Sequence, residues 1–192
     1  MNDVFSSLAG QLLLAMPQMG DPRFHRAAIF LCTHDAKGAM GLVLNHVLPD
    51  MDFGKLLKQL NIQPVPAVPH DVLGRPVVHG GPVETGRGFL LHGKDFITPE
   101  TVHVNQNFSV SGTVTALRAV ARGHGPKNMV FTLGYAVWAP GQLENEILDN
   151  AWLTLPATPD LVFGPAPLQV WERGMAALRI DPAMLSHVAG RA

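Results

Sequence analysis

Apolar residues in this chain fall into short runs separated by turn residues. Gln11 to Met16 has the pattern of a buried strand, and Pro17 stops it. Ala27 to Thr33 forms a second run, bounded by His34-Asp35 and Gly38, and Gly41 to Asn45 a third. The intervals are too short for crossover helices, which predicts antiparallel neighbours in one sheet. A helix is predicted from Asp52, because Phe53, Leu56, Leu57 and Leu60 recur on one helical face. Asp52 is placed to accept a first-turn amide and Asn61 to end the helix. Gln63 to Pro69, with prolines at 64, 66 and 69, reads as an extended, exposed loop.

Pro76 to His79 predicts a strand that breaks at Gly80-Gly81-Pro82, and Gly88 to His92 predicts another. Val102 to Val110 is expected to be strand with a turn at Asn105-Gln106-Asn107. Ser111 is expected to cap a helix that turns Val114, Leu117 and Ala121 inward and ends at Gly123. Met129 to Trp138, apolar on both faces, is the expected central strand. Gly141 to Leu148 follows as a short helix with Leu143 and Ile147 inward and Glu144 and Glu146 near its positive end. Ala151 to Leu155 is a strand, Pro167 opens a helix bearing Trp171, Gly174, Met175 and Leu178, and Asp181-Pro182 caps a last short helix to about His187. About nine strands and five helices, grouped rather than alternating, give an α+β (mixed α/β) architecture. Its sheet is curved and largely antiparallel, with helices packed outside. No linker is long or polar enough to divide residues 1–192, so one domain is expected.

Composition narrows the function classes. With 47% hydrophobic and 15% charged residues, the chain can bury a large core and is not disordered. The formal net charge is -1 and no Lys/Arg run occurs, so direct nucleic-acid binding is disfavoured unless folding gathers a basic footprint on one face. The single Cys32 lies in an apolar run and reads as a buried, inert thiol, consistent with a reducing compartment. Asp3, with no basic residue before Arg23, does not fit a secretory n-region, and the run from Leu12 to Met16 is too short to span a bilayer. A cytoplasmic protein with no membrane association is expected.

Several motifs invite chemistry. Gly80-Gly81-Pro82-Val83 follows a strand, where adjacent glycines can form an anion nest or simply a tight turn. No Gly-Lys-Ser/Thr follows, so it is not a phosphate-binding P-loop. Of nine histidines none forms a helical His-x3-His pair, and a single cysteine excludes thiolate clusters, so neither metal nor cofactor is expected. His34, His79 and His92 close apolar segments; they either build a site at strand ends or are satisfied by hydrogen bonds. No Gly-x-Ser-x-Gly elbow is present, and Ser6, Ser7, Ser109, Ser111 and Ser186 lack the context of a nucleophile. The densest polar-aromatic cluster is Tyr135, Trp138, Gln142, Glu144 and Glu146. Tyr135 and Val137 share one strand face, and Gln142 and Glu146, four apart, share a helix face. Either this is a ligand pocket at a strand-to-helix junction, or the aromatics are core residues whose polar ends need partners and the carboxylates serve the helix dipole.

The same segments resemble the AlgH-like (YqgE-like) family of bacterial proteins. The matching pieces are Gly10 to Pro17, Asp21-Pro22 with Phe24, His34 with Gly38 to Asn45, and Gly80 to Val83. They continue through Gly88 to His92, Gly134 to Trp138, Gly141 to Glu144, Glu146, Asn150 and Trp152. The order is kept over nearly the whole chain. It departs after Asn45, where a basic residue and proline are expected and His46-Val47 stand, which puts any contact made by that basic residue in question. The resemblance implies a mixed α/β domain with its sheet bent into a partial barrel. It implies no assigned catalytic residues, and one member's name, as a regulator of alginate synthesis, implies a role in transcriptional regulation. The leading expectation is a non-catalytic binding or regulatory protein with a protein or small-molecule partner. Its candidate site residues are His34, Asn45, His79, Gly80, Gly81, His92, Tyr135, Trp138, Gln142 and Glu144. The alternatives are a hydrolase or metal-assisted enzyme using His34, His79 and His92 near the glycine turn, and a DNA-binding regulator.

Overall fold

The computed structural model describes residues 6–112, 114–164 and 167–185; Ser186 and the expected helix end at His187 lie outside them. Ten strands are present among the described residues. The first five are β1 (Gln11–Ala15), β2 (Ala28–Asp35), β3 (Gly38–Val43), β4 (Val47–Asp52) and β5 (Pro76–His79). The others are β6 (Val83–His92), β7 (Thr101–His103), β8 (Ser109–Ser111), β9 (Met129–Trp138) and β10 (Trp152–Pro156). Six α-helices accompany them: α1 (Phe53–Gln59), α2 (His70–Leu73), α3 (Val114–Ala121), α4 (Gln142–Leu148), α5 (Pro159–Phe163) and α6 (Val170–Ala177). This is the expected mixed α+β fold, its sheet curled into a half barrel, with one strand and one helix more than the sequence pattern suggests.

The first three strands form the expected antiparallel meander, with Leu12 opposite Phe30 and Phe30 opposite Leu42, and β10 closes on the free edge of β1. The sheet runs β10-β1-β2-β3-β9-β6-β8-β7. One edge of β9 is shared. Residues 136–138 pair antiparallel with β3, and residues 131–133 pair parallel with β5, which carries β4 on its other side. The opposite edge of β9 pairs with β6. This long strand therefore belongs to both walls of the half barrel, which explains why its residues are apolar on both faces.

Glycines make the junction between the walls. Gly80 donates its N–H to the Leu133 carbonyl (2.7 Å), and Val43 donates to the Gly80 carbonyl (2.9 Å). A β-carbon on Gly80 would strike the Gly134 carbonyl, and one on Gly81 would strike the Tyr135 backbone. Gly81 and Gly134 also have φ of 149° and 79°, which disfavour any side chain. The Gly80-Gly81 pair is thus a place where two backbones cross in contact.

Helix α1 forms as its spacing predicts except at Leu60, which follows the helix as its C-cap and is 43% exposed. The Asp52 carboxylate accepts the Lys55 N–H (2.7 Å), Phe53, Leu56 and Leu57 are buried, and Asn61 leaves the helix at φ 55°. Burying each such side chain contributes about 1.5–3 kcal/mol before entropy is counted. Helix α3 differs from expectation in two ways. Ser111 belongs to β8, and its hydroxyl bonds other side chains rather than capping the helix. Val114 is 48% exposed; the buried face is Ala116, Leu117, Val120 and Ala121, which pack with Phe53, Leu57 and Phe131. The expected helix at Pro167 begins as a 3-10 turn and becomes helical at Val170, where Trp171 donates to the Ala15 carbonyl inside the barrel (2.8 Å). The segment after Asp181 is a 3-10 turn over Pro182–Met184.

Candidate functional site

The β9-to-α4 connection holds the most elaborate polar arrangement. Gly141, at φ 74°, turns the chain so that α4 starts beside the strand it leaves. Gln142 accepts the Ala139 N–H through Oε1 (3.0 Å) and donates through Nε2 to Glu146 Oε1 (2.8 Å), as the four-residue spacing predicts. Glu146 Oε2 accepts two indole N–H groups, from Trp138 (2.8 Å) and Trp152 (2.7 Å). The two indoles meet edge-to-face with centroids 6.0 Å apart, and Phe24 meets Trp152 the same way at 5.7 Å. One carboxylate therefore gathers three N–H donors and, among the described residues, no cation. It lies in a cleft of about 410 Å3 walled by Met19, Arg23, Val83 and Val137.

Glu144, on the same helix, accepts from His34 Nε2 at 3.0 Å. The His34 side chain is 2% exposed, and its Nδ1 accepts the Leu8 N–H (2.9 Å), which leaves the ring proton on Nε2 facing the carboxylate. The Ser7 hydroxyl closes the same corner by donating to the His34 carbonyl (2.7 Å).

His92 is fully buried. Its Nδ1–H donates to the Gly93 carbonyl (2.6 Å), so Nε2 accepts the Ser111 hydroxyl (2.9 Å). Ser111 in turn meets Thr101 Oγ1 (2.8 Å), and Thr101 meets Thr98 Oγ1 (3.1 Å). Burial pushes the His92 pKa down, against the carbonyl bond and nearby Asp95. A serine and a histidine are within bonding distance here, yet Ser111 is 1% exposed and no substrate can reach it.

The remaining candidates have separate partners. Asn45 spans two backbone groups, accepting from Ala28 N (2.8 Å) and donating to the Arg26 carbonyl (2.8 Å). His79 is half-buried on β5, and its N–H donates to the His46 carbonyl (2.6 Å). His46 bonds the His25 carbonyl through Nε2 (3.0 Å); burial lowers its pKa, and the rings of His79 and His25 act in the same sense. Gly80 and Gly81 form the backbone crossing. Tyr135 turns to the opposite strand face from Trp138. It stacks edge-to-face on Phe89 at 5.6 Å and lies beside Glu84, which holds the phenol above its usual range; the Glu84 carboxyl is held below its own chiefly by the Arg87 guanidinium (3.0 Å), with Tyr135 adding to it. Burial pushes the Cys32 thiol up to about 12, in keeping with an inert side chain.

Of the ten candidates, Trp138 and Gln142 share the α4 cleft, and His34 and Glu144 bond each other; the others face different surroundings. Among the described residues no group of three or more His, Cys, Asp or Glu could hold a metal ion. Nor is any helix among them long and apolar enough to cross a membrane. Sequence reasoning missed Trp152 and Phe24 as members of the cleft and Ser111 as the partner of His92. An indole N–H needing a buried acceptor was the one available signal for Trp152.

Comparison with known proteins covers the chain almost end to end. The family model described as AlgH-like matches residues 12–183. A UPF0301 protein of Bradyrhizobium diazoefficiens is 47% identical over 189 residues, covering 96% of this chain and 88% of that protein. A UPF0301 protein of Rhodopseudomonas palustris is 48% identical over 189 residues, covering 96% and 87%. The solution structure of the AlgH protein from Pseudomonas aeruginosa superimposes with a TM-score of 0.76 at 35% identity, covering all of both chains. A crystal structure of a Corynebacterium diphtheriae protein gives a TM-score of 0.71 at 22% identity, covering 90% of this chain and 87% of that one, a likeness of fold alone.

Proposed function

The chain belongs to the AlgH-like family, and from that premise we propose that it is a cytoplasmic, single-domain binding or regulatory protein that catalyses no reaction. The carrying observation is that three of the acid–base groups at the candidate motifs, His34, His92 and Glu146, are already bonded internally. His34 is held by Glu144 and Leu8, His92 by Gly93 and Ser111, and Glu146 by Trp138, Trp152 and Gln142. General acid–base catalysis needs such a group within reach of a substrate, and the serine–histidine contact is sealed. The cleft beside α4 is the reading's binding site. There Trp138 and Gln142 meet apolar walls, and Glu146, its oxygens engaged by the fold, lends the cleft a negative charge that suits a cationic ligand or partner segment.

The test is a broad panel of ester, amide, phosphate and glycoside substrates offered to the purified protein. No turnover is expected. Turnover that disappears in both His92→Ala and Glu144→Gln would overturn the reading. Binding at the cleft is followed by the fluorescence of Trp138 and Trp152, which a ligand touching Glu146 should shift. A role in transcriptional regulation would then run through a protein or small-molecule partner.

A further inference from the structure

Charge is segregated along this chain. Residues 53–70 and 101–143 contain no aspartate or glutamate, although the chain has fifteen acids. The same two stretches hold Lys55, Lys58, Arg118, Arg122 and Lys127. Folding brings the two stretches together, because α1 and α3 bury their apolar faces in one shared cluster with Phe131 and Val77; Lys55 pairs with Asp52 (3.7 Å), and Arg118 and Arg122 are the cations that line the cleft between them. The chain leaving α1 is then tied down. Ile62 donates back to the Leu57 carbonyl (2.9 Å), and Val65 donates to the Ala121 carbonyl at the end of α3 (2.8 Å).

The result is a cleft of about 310 Å3 lined by Asn61, Ile62, Gln63, Arg118, Ala121 and Arg122. Arg118 and Arg122 are four apart and share one helix face, both exposed. Neither forms an ion pair among the described residues. Like charges at this spacing repel, and an anion between the two guanidinium forks would relieve that repulsion. Asn61 and Gln63 add neutral side-chain amides to the lining, and Ile62 adds apolar surface. Asn61 is held in place by its left-handed backbone, φ 55°.

We propose that this cleft binds a small phosphate-bearing molecule, with Arg118 and Arg122 clasping the phosphate and Asn61 and Gln63 facing the body of the ligand. Paired guanidiniums match phosphate oxygens in geometry as well as charge. Two positive charges meet in one concavity beside a neutral, proline-rich loop, a footprint that suits a compact ligand better than the extended backbone of a nucleic acid. The site is separate from the α4 cleft and stands whichever partner that cleft takes.

The experiment is amide-resolved NMR of the full chain at low ionic strength, titrated in separate arms with inorganic phosphate, pyrophosphate and a nucleoside monophosphate. Saturable shifts confined to residues 61–63 and 118–122 are expected. The double variant R118Q/R122Q should weaken binding by about tenfold or more, whereas Lys37→Gln, on the hairpin between β2 and β3, should leave it unchanged. A stronger response to the nucleotide than to the inorganic anions identifies a ligand with a body; equal responses assign the site to the phosphate group alone, and both support the proposal. It is overturned by no saturable shift up to about 10 mM of any probe, by unchanged affinity in the double variant, or by an equal response to chloride at matched ionic strength. Tighter binding of duplex DNA with a steep salt dependence also overturns it, in favour of a polyanion surface. If the double variant loses its dispersed spectrum, R118Q and R122Q singly carry the same test, each expected to weaken binding severalfold.

Discussion

Helices α4 and α3 hold charge in opposite ways. On α4 both carboxylates are spoken for: Glu144 receives a buried imidazole, and Glu146 receives two indoles and an amide. At the end of α3, Arg118 and the following Arg122 stand in a cleft with no carboxylate to answer them among the described residues. The first arrangement is anchored by groups from β2, β9 and β10 and fastens the helix to the sheet. The second has no ion pair among the described residues. A carboxylate whose donors all come from the fold anchors its helix whatever the adjoining cleft binds, whereas arginines in a concavity with no carboxylate to meet leave that concavity positively charged.

The contrast can be broken most forcefully at Glu146. Glu146→Ala removes the acceptor of two nearly buried indole N–H groups and should cost about 2–4 kcal/mol, read as a lower denaturation midpoint with an unchanged slope. A loss no larger than that of an exposed surface change would mean that α4 is not fastened as argued. At the other α4 carboxylate, Glu144→Ala should cost about 1–2 kcal/mol, because the buried His34 Nε2–H loses its acceptor, while Glu144→Gln keeps an oxygen there and should cost less.

Acid probes the sealed histidines. Burial holds His92 and His46 below the ordinary histidine value of 6.5, so the folded state binds fewer protons than the unfolded chain. Their contribution is complete above about pH 6.5 and is lost as pH falls below it, by up to about 1.4 kcal/mol per pH unit for each group. Denaturation midpoints measured between about pH 7 and pH 5 should fall accordingly, and His92→Asn should flatten the slope whatever its effect at neutral pH. A flat profile in the unaltered protein would contradict the burial argument. The smallest effect belongs to α3, where R118Q/R122Q should change stability by no more than a few tenths of a kcal/mol, in the stabilising direction, as like-charge repulsion is relieved. A loss above about 1 kcal/mol would show that the arginines have a structural duty after all.

Local rules made much of this legible in the sequence. Met129–Trp138 and Pro76–His79 are strands with the expected bounds, and Asp52 caps α1 as its position promised. Where pattern is weak, reading failed. Strand β4 buries none of its residues fully and pairs with a single neighbour, so it carries no alternation to detect. Helices α2 and α5 are only four and five residues long, too short for a periodic signal. Ser111 looked like a cap because its local context suits one; its real partner, His92, lies nineteen residues away, and no local rule reaches that far. The parallel pairing of β5 with β9 and the meeting of Asn61 with Arg118 are long-range in the same sense. The Gln142–Glu146 bond was legible because a single helix makes it.

The strand common to both walls has a mechanical implication. Along one margin β9 is gripped by β3 near its end and by β5 nearer its start, while the glycine crossing presses against it between the two grips. The barrel thus has a keel instead of a seam. Both flanks hydrogen-bond to the same ten residues, so loosening one flank is expected to loosen the other.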